Sequence, residues 1–532
     1  MKRAFTFILV GLVILTAAVG CGQKRPAGEN LNIQTFDDKA ETYEGTAIVL
    51  ADEGITVDGT PISADTASAV YAANDIVYYE SGKDFTYGEG EEKDAHTKEE
   101  ADAHTVVHIT KAGQYVLSGK LSKGQIAVDL GEDAASDPNA VVTLVLNGMD
   151  ITCEVAPAVI FYNVYECGQK DEATATKDVD LTNAGARVIL ANNSINKVDG
   201  SYVARIYKPG TVELTEDGKE VADAEKLHKY DAAFYSKMSM RIQGGHSGNG
   251  NGYLQIEADN EGLDSELHLT VDGGIIQIES GNDGINTNED NVSVTTINDG
   301  FLTIVVNGAT GEGDGIDSNG WLVINGGTVV AQACAFSGDA GIDSDKGIHI
   351  NGGTVMAGGH MLDRIEDGGQ TYAVFTMGQS NKTGVISMKN ADGDTLVTQS
   401  IINDYSTLVI SSPHMTPGDY TLWVGEEQLK GTAAQGGMGG FGGGHGGERP
   451  AMPEGNEPPE EGAEPPSGTR PEKPDGEPPE GERPEPPVGE RPSMPEGQTP
   501  PSKPGNGNQP IGQGESSDVF TIREGANYFQ IA

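Results

Sequence analysis

Gly313-Asp-Gly-Ile-Asp-Ser-Asn-Gly-Trp-Leu-Val-Ile-Asn-Gly-Gly-Thr-Val-Val330 is the stretch whose reading decides the fold. Its opening recurs as Asp231-Ala-Ala-Phe-Tyr-Ser236, Asn260-Glu-Gly-Leu-Asp-Ser265, Asn282-Asp-Gly-Ile-Asn-Thr287 and Asp339-Ala-Gly-Ile-Asp-Ser344. Each copy carries an apolar residue, then an acid, amide or Tyr, then a hydroxyl. An alternating apolar run, a Gly turn and a second run follow, as in Ile348-His-Ile-Asn-Gly-Gly-Thr-Val-Met356. The turn glycine falls at Gly245, Gly274, Gly300, Gly327 and Gly353, so successive spacings are 29, 26, 27 and 26 residues. A period in this range means one supersecondary unit per repeat, stacked so that neighbours bury what one unit cannot. Three short β runs per period without helical spacing specify one coil of a parallel β-helix.

Stacking turns each sequence column into a physical ladder, with one side chain above the next at roughly 4.8 Å. Phe234, Leu263, Ile285, Ile316 and Ile342 are predicted to point inward as a stripe of core. Their neighbours Tyr235, Asp264, Asn286, Asp317 and Asp343 are then predicted to point outward, because alternate residues on a strand face opposite sides. Ser236, Ser265, Thr287, Ser318 and Ser344 form a hydroxyl column able to bond from rung to rung. In the acidic column, Asp317 and Asp343 sit on adjacent coils with Asp314, Asp339 and Asp345 near them. Carboxylates about 5 Å apart repel by roughly 3 kcal/mol at an effective dielectric of 20. Two resolutions follow: a well-solvated acidic edge, or bound Ca2+, which accepts several oxygens in loose geometry.

The chain has 532 residues and a net charge of −47. Such charge excludes nucleic acid as a partner and opposes polyanionic ligands unless metal ions mediate. Abundant Gly and few aromatics suit a solenoid of tight turns rather than a helical fold. Lys2 and Arg3 precede an apolar run over residues 4–19 that ends in Ala18-Val-Gly-Cys21. Residues 1–20 read as a signal peptide and Cys21 as a lipidation site, which places the mature chain on the extracellular face of a bacterial membrane. Ala18 departs from the usual Leu at that position of the lipobox.

Residues 21–45 read as a tether and 46–360 as the β-helix, most regular over 231–360 and interrupted by polar loops at 80–103 and 168–182. Residues 361–434 alternate as ordinary strands and are predicted to form a small antiparallel β module capping the helix, which the last strands at 516–532 rejoin. The Gly-, Pro- and Glu-rich segment 435–515 cannot bury a core and is predicted to be a disordered insertion. Cys153 and Cys167 are open either to a disulfide or to burial as free thiols, with Cys334 left over. No CxxC or paired-His spacing supports zinc.

The set Ala112-Gly-Gln-Tyr-Val-Leu-Ser-Gly119, Leu144-Val-Leu-Asn-Gly-Met-Asp-Ile151, Asn193-Ser-Ile-Asn-Lys-Val-Asp-Gly200, the Asp-Gly-Ile-Asp-Ser coils, Asp404-Tyr-Ser-Thr-Leu-Val-Ile-Ser-Ser412 and Asn527-Tyr-Phe529 resembles the secreted clostridial carbohydrate-binding domain-containing proteins. These are β-helix proteins related in fold to pectate lyases. The resemblance implies binding of plant cell-wall polysaccharide, pectic or cellulosic, with Ca2+ held by coil Asp side chains. Asp314, Asp317, Asp339, Asp343 and Asp345 are the ligand candidates. Trp321, Tyr235 and Tyr253 are available as stacking faces for sugar rings.

A calcium-dependent polysaccharide lyase is the rival reading. Elimination beside a uronate carboxylate needs a base, and Lys346 and Lys237 lie beside the acidic column. The sequence holds no basic cluster to clamp a substrate, which favours binding over catalysis. A structural or adhesive surface protein, with the solenoid as a rigid stalk, is the third reading. A monomer is expected.

Overall fold

A computed structural model describes residues 41–378, 383–434 and 516–532. The signal peptide, Cys21, most of the tether and the 435–515 insertion lie outside the described residues. Among those described, the chain is all-β apart from one short α-helix and three 3-10 turns, and no helix is long and apolar enough to cross a membrane.

Three parallel ladders organise residues 105–359. The first joins Thr105–Ile109, Gly124–Asp129, Val159–Asn163, Ala232–Ser236, Glu261–Ser265 and Ile285–Thr287. A single bridge from Ile285 to Ile316 extends it. The second ladder joins Ala186–Leu190, Met240–Gly244, His268–Val271, Val294–Ile297, Trp321–Ile324 and Gly347–Ile350. The third joins Ile195–Gly200, Tyr253–Ala258, Ile275–Ser280, Phe301–Val306, Thr328–Gln332 and Thr354–Gly359. The periods opening at Asp231, Asn260, Asn282 and Gly313 therefore each contribute one strand, or one bridge, to each ladder, and the period opening at Asp339 contributes a strand to the second and third.

The registers reproduce the sequence columns. Phe234 pairs with Leu263, Leu263 with Ile285 and Ile285 with Ile316, and all four are fully buried. At the turn between the second and third ladders, Gly274, Gly300, Gly327 and Gly353 hold φ of +98°, +102°, +73° and +79°. A Cβ on Gly327 would meet the Gly300 carbonyl oxygen at 2.7 Å, so both conformation and space require glycine. Beside this turn an amide ladder runs up the stack: Asn298 donates to Asp272, Asn325 to Asn298 and Asn351 to Asn325, at 2.7, 2.8 and 2.8 Å.

In the hydroxyl column, Thr287 and Ser318 bond from rung to rung at 2.8 Å. Ser236 and Ser265 instead donate to backbone carbonyls, of Met238 and of Met238 and His268, because the chain turns there and leaves those acceptors free.

The 80–103 segment is more ordered than a solvated loop. Thr97-Lys-Glu-Glu100 is a capping box, and it starts the α-helix Lys98–Asp102, whose Ala101 enters the core. Residues 203–230 form an inserted hairpin of Val203–Tyr207 and Lys226–Tyr230 that the periodicity did not mark. Cys153, Cys167 and Cys334 are free thiols, the first and last of them buried.

Beyond residue 359 pairing becomes mixed rather than purely antiparallel as expected: the pairs that follow are antiparallel except that of Tyr372–Thr376 with Ala526–Ile531, which is parallel. Thr354–Gly359 pairs with Thr407–Ser411, which pairs with Tyr372–Thr376. Tyr372–Thr376 also takes up Ala526–Ile531, and Gly418–Val424 takes up Phe520–Ile522. Phe375, Phe520 and Phe529 meet in a second core, with ring centroids 5.1–5.3 Å apart.

Candidate functional site

The acidic column divides into a covered and an open half. Asp264 and Tyr235 are fully buried and Asn286 nearly so, against the expectation that they face solvent. The cause is the inserted hairpin, which folds over their side of the first ladder. Tyr230 packs on Tyr235 at 5.3 Å between centroids, and the Tyr235 hydroxyl donates to the Lys229 carbonyl and to Glu266. Lys229 Nζ meets Asp231 Oδ2 at 2.7 Å and Lys226 meets Glu266 at 3.5 Å.

Under this cover, oxygens of Asp231, Glu261 and Asp264 all lie within 4.8 Å of one another. Burial, followed by the neighbouring carboxylates, holds Glu261 and Asp264 well above the usual range; burial raises Asp231 too, opposed by Lys229. Asn286 donates to Glu261 Oε1 at 3.2 Å, and Asn288 shares its amide between the two oxygens of Asp264 at 3.0 Å.

In the open half, Asp317 and Asp343 are half-buried on adjacent rungs, and the Asp343 N–H donates to the Ile316 carbonyl at 2.7 Å. Burial and then carboxylate neighbours push Asp317 up to about 7 and Asp343 up to about 8; the group facing Asp343 is Asp363. Asp283 is pushed up to about 7 by burial, and Asp314 lies well above the usual range for the same reason. Asp283 and Asp363 were not singled out from the sequence. Asp363 lies past the last repeat, so no column could reveal it.

The five sequence-predicted ligands are not equivalent. Asp317 and Asp343 both add to the upward shift of Asp314, and Asp317 adds to that of Asp343. Asp339 instead ties turns together by accepting the Gly313 N–H at 2.6 Å, and Asp314 likewise accepts from Ala340 at 2.6 Å. Asp345 is exposed at the margin, beside Lys346. Lys346 offers its carbonyl to Arg364, and Lys237 is exposed just past Ser236, on the same rung as the covered Tyr235. Among the described residues, the carboxylates whose oxygens converge are Asp231, Glu261 and Asp264.

A second feature lies on the outward side of the third ladder, where Lys197, Gln255, Gln277 and Thr303 are in register, as are Asp199, Glu257 and Glu279. All but Thr303 are half-buried. Gln255 donates to Glu257 at 2.7 Å and Lys197 meets Glu257 at 3.5 Å. Burial and Glu257 push Asp199 up to about 6. The signal was present in the sequence: Gln255-Ile-Glu257 returns as Gln277-Ile-Glu279. Beside this face Tyr253 is buried and donates to Gln277 at 2.8 Å, and Tyr235 is buried too, so neither ring is free to stack on a sugar. Trp321 keeps a half-exposed ring.

Comparison with known families gives one match, to the model described as carbohydrate-binding domain-containing protein, over residues 103–170 and 168–372, just over half of the chain. Comparison with curated proteins finds no match. Among solved structures, a polysaccharide lyase-like protein from C. thermocellum, determined as a gadolinium derivative, is similar at 19% identity and a TM-score of 0.31. The alignment covers 61% of this chain and 98% of that one.

Proposed function

The chain belongs to the carbohydrate-binding domain-containing family, and from that premise we propose that it binds a cell-wall polysaccharide, pectic or cellulosic, from the outer surface of a bacterial membrane. The observation that carries the reading is the family match itself, which spans the rungs bearing both the polar face and the acidic column.

In this reading the three ladders wind as a right-handed parallel β-helix, the hand that parallel crossovers take almost without exception. Residues 361–434 and 516–532 cap it. The polymer lies along the stacking direction, so that each sugar meets the same groups as the last. The amides of Gln255 and Gln277 both donate to and accept from sugar hydroxyls, and the carboxylates of Glu257 and Glu279 accept from them. Ca2+ is held between Asp317 and Asp343, with Asp314 and Asp363 beside them. That donor set is all oxygen and half-exposed, which fits a hard cation that keeps positions open for a uronate carboxylate. The apolar run at residues 4–19 and Cys21 support export and lipid anchoring.

A glycan panel probed with the full chain in detergent, with and without Ca2+, tests this reading. Pectic or cellulosic chains are expected to be retained. Gln255→Ala with Gln277→Ala should weaken retention about tenfold, the equivalent of ~1.4 kcal/mol for lost hydrogen bonds. Retention of no glycan would defeat the reading. Rising ultraviolet absorbance from unsaturated products would replace binding with lyase chemistry and turn attention to Lys346 and Lys237.

A further inference from the structure

We propose that Asp231, Glu261 and Asp264, completed by Asn286, form a closed site for a hard divalent cation of the calcium class, which pins the 203–230 hairpin to the rungs. The site is separate from the open carboxylates around Asp317 and does not depend on what the chain binds.

Three observations carry it. First, the carboxylates come from two different stretches, Asp231 from one rung and Glu261 and Asp264 from the strand of the next, yet have oxygens within 4.8 Å of one another, a separation that a single ion with bonds of about 2.3–2.6 Å spans. Second, two acceptors in this cluster lack a hydrogen-bond partner among the described residues, Glu261 Oε2 and Asn286 Oδ1. Glu261 is 6% exposed and Asn286 8%, and their heads touch through the Asn286 amide at 3.2 Å. A buried acceptor without a donor is costly, and two side by side on carboxylate and amide oxygens point to a cation between them. Third, the charges do not balance. Lys229 offsets one of the three carboxylates and Lys226 is engaged with Glu266, so two negative charges remain, and a divalent ion cancels both.

Asp231 follows directly on the return strand Lys226–Tyr230, whereas Glu261 and Asp264 belong to the next rung. The ion therefore joins hairpin to ladder. The competing arrangement is a proton shared among the three carboxyls, which needs no ion and gives no response to Ca2+.

The test uses the full chain in detergent, stripped with chelator, and titrated with CaCl2 by calorimetry and by thermal melting. Asp317→Asn with Asp343→Asn serves as background, so that the open carboxylates do not contribute. In this background we expect one equivalent of Ca2+ to bind and to raise the melting temperature. Glu261→Gln and Asp264→Asn should each abolish both responses, and limited proteolysis within residues 208–225 should become Ca2+-independent. Glu261→Gln is isosteric and removes a buried charge, so in chelator it should melt no lower than its parent; Asp264→Asn repeats the test should that variant misfold. No Ca2+ binding in the background protein, or undiminished binding by both variants, would overturn the site. Either result leaves the glycan panel unaffected, so this proposal and the carbohydrate reading fail separately.

Discussion

The covered and open halves of one acidic column differ in surroundings more than in sequence. Leu263-Asp264-Ser265 and Ile316-Asp317-Ser318 share the same pattern, and their apolar residues are equally buried. Yet Asp264 is sealed under a hairpin, and Asp317 remains half-exposed beside residues from two further rungs. A repeat thus sets where a side chain points, while an insertion between repeats decides what it meets. In the proposed assignment the first half binds an ion and encloses it, and the second holds an ion that keeps a face to solvent.

The largest expected effect is one in which the halves should agree. Leu263→Ala and Ile316→Ala each remove a fully buried aliphatic group from the inner stripe, and each should cost about 2–5 kcal/mol in urea unfolding. A clear inequality between them would break the equivalence of the rungs.

Next comes pH. Asp283, Asp317 and Asp343 have folded-state values near 7, 7 and 8 against an ordinary value of 3.8. Between these limits the folded chain holds more protons than the unfolded one, so stability is highest at low pH and falls as pH rises from about 4 to about 8. The urea midpoint of chelated protein should fall across that window, and saturating Ca2+ should flatten the slope. A midpoint that rises with pH in chelator would contradict the packing of these carboxylates.

A smaller contrast lies within the open half. Asp343→Asn should raise stability in chelator at pH 8 and weaken the Ca2+ response. Asp345→Asn, on an exposed side chain, should stay within about 0.5 kcal/mol of the parent. Equal effects of the two in thermal melts would show that the partly buried carboxylates are not special. Asn325→Ala, which interrupts the amide ladder between Asn298 and Asn351, should cost about 1 kcal/mol in urea unfolding, less than the core substitutions and more than Asp345→Asn.

Much of the architecture was legible because stacking converts periodicity into geometry. The spacing of Gly274, Gly300, Gly327 and Gly353 located turns that need positive φ, and the Phe234 to Ile316 column gave the register of the first ladder. What could not be read lies where the period is interrupted. Nothing in residues 203–230 repeats, so the hairpin that buries Tyr235 and Asp264 left no column to follow, and outward-pointing was equated with exposed. Glu261 escaped for a related reason: it stands before the apolar position of its repeat, where the other copies carry Ala232, Asp283, Asp314 and Ala340, and only the fold brings it against Asp231. The Gln255 and Glu257 face was readable from its repetition at Gln277 and Glu279, but two copies stand out less than five.

The most direct measurement of the central claim is calorimetric titration of the full chain with pectic oligosaccharide, in chelator and then in Ca2+. The account predicts heat of binding that strengthens with Ca2+, loses that gain in Asp317→Asn with Asp343→Asn, and reports an affinity about tenfold weaker in Gln255→Ala with Gln277→Ala. Absence of heat with pectic and cellulosic oligosaccharides alike, in a chain that still melts cooperatively, would contradict it.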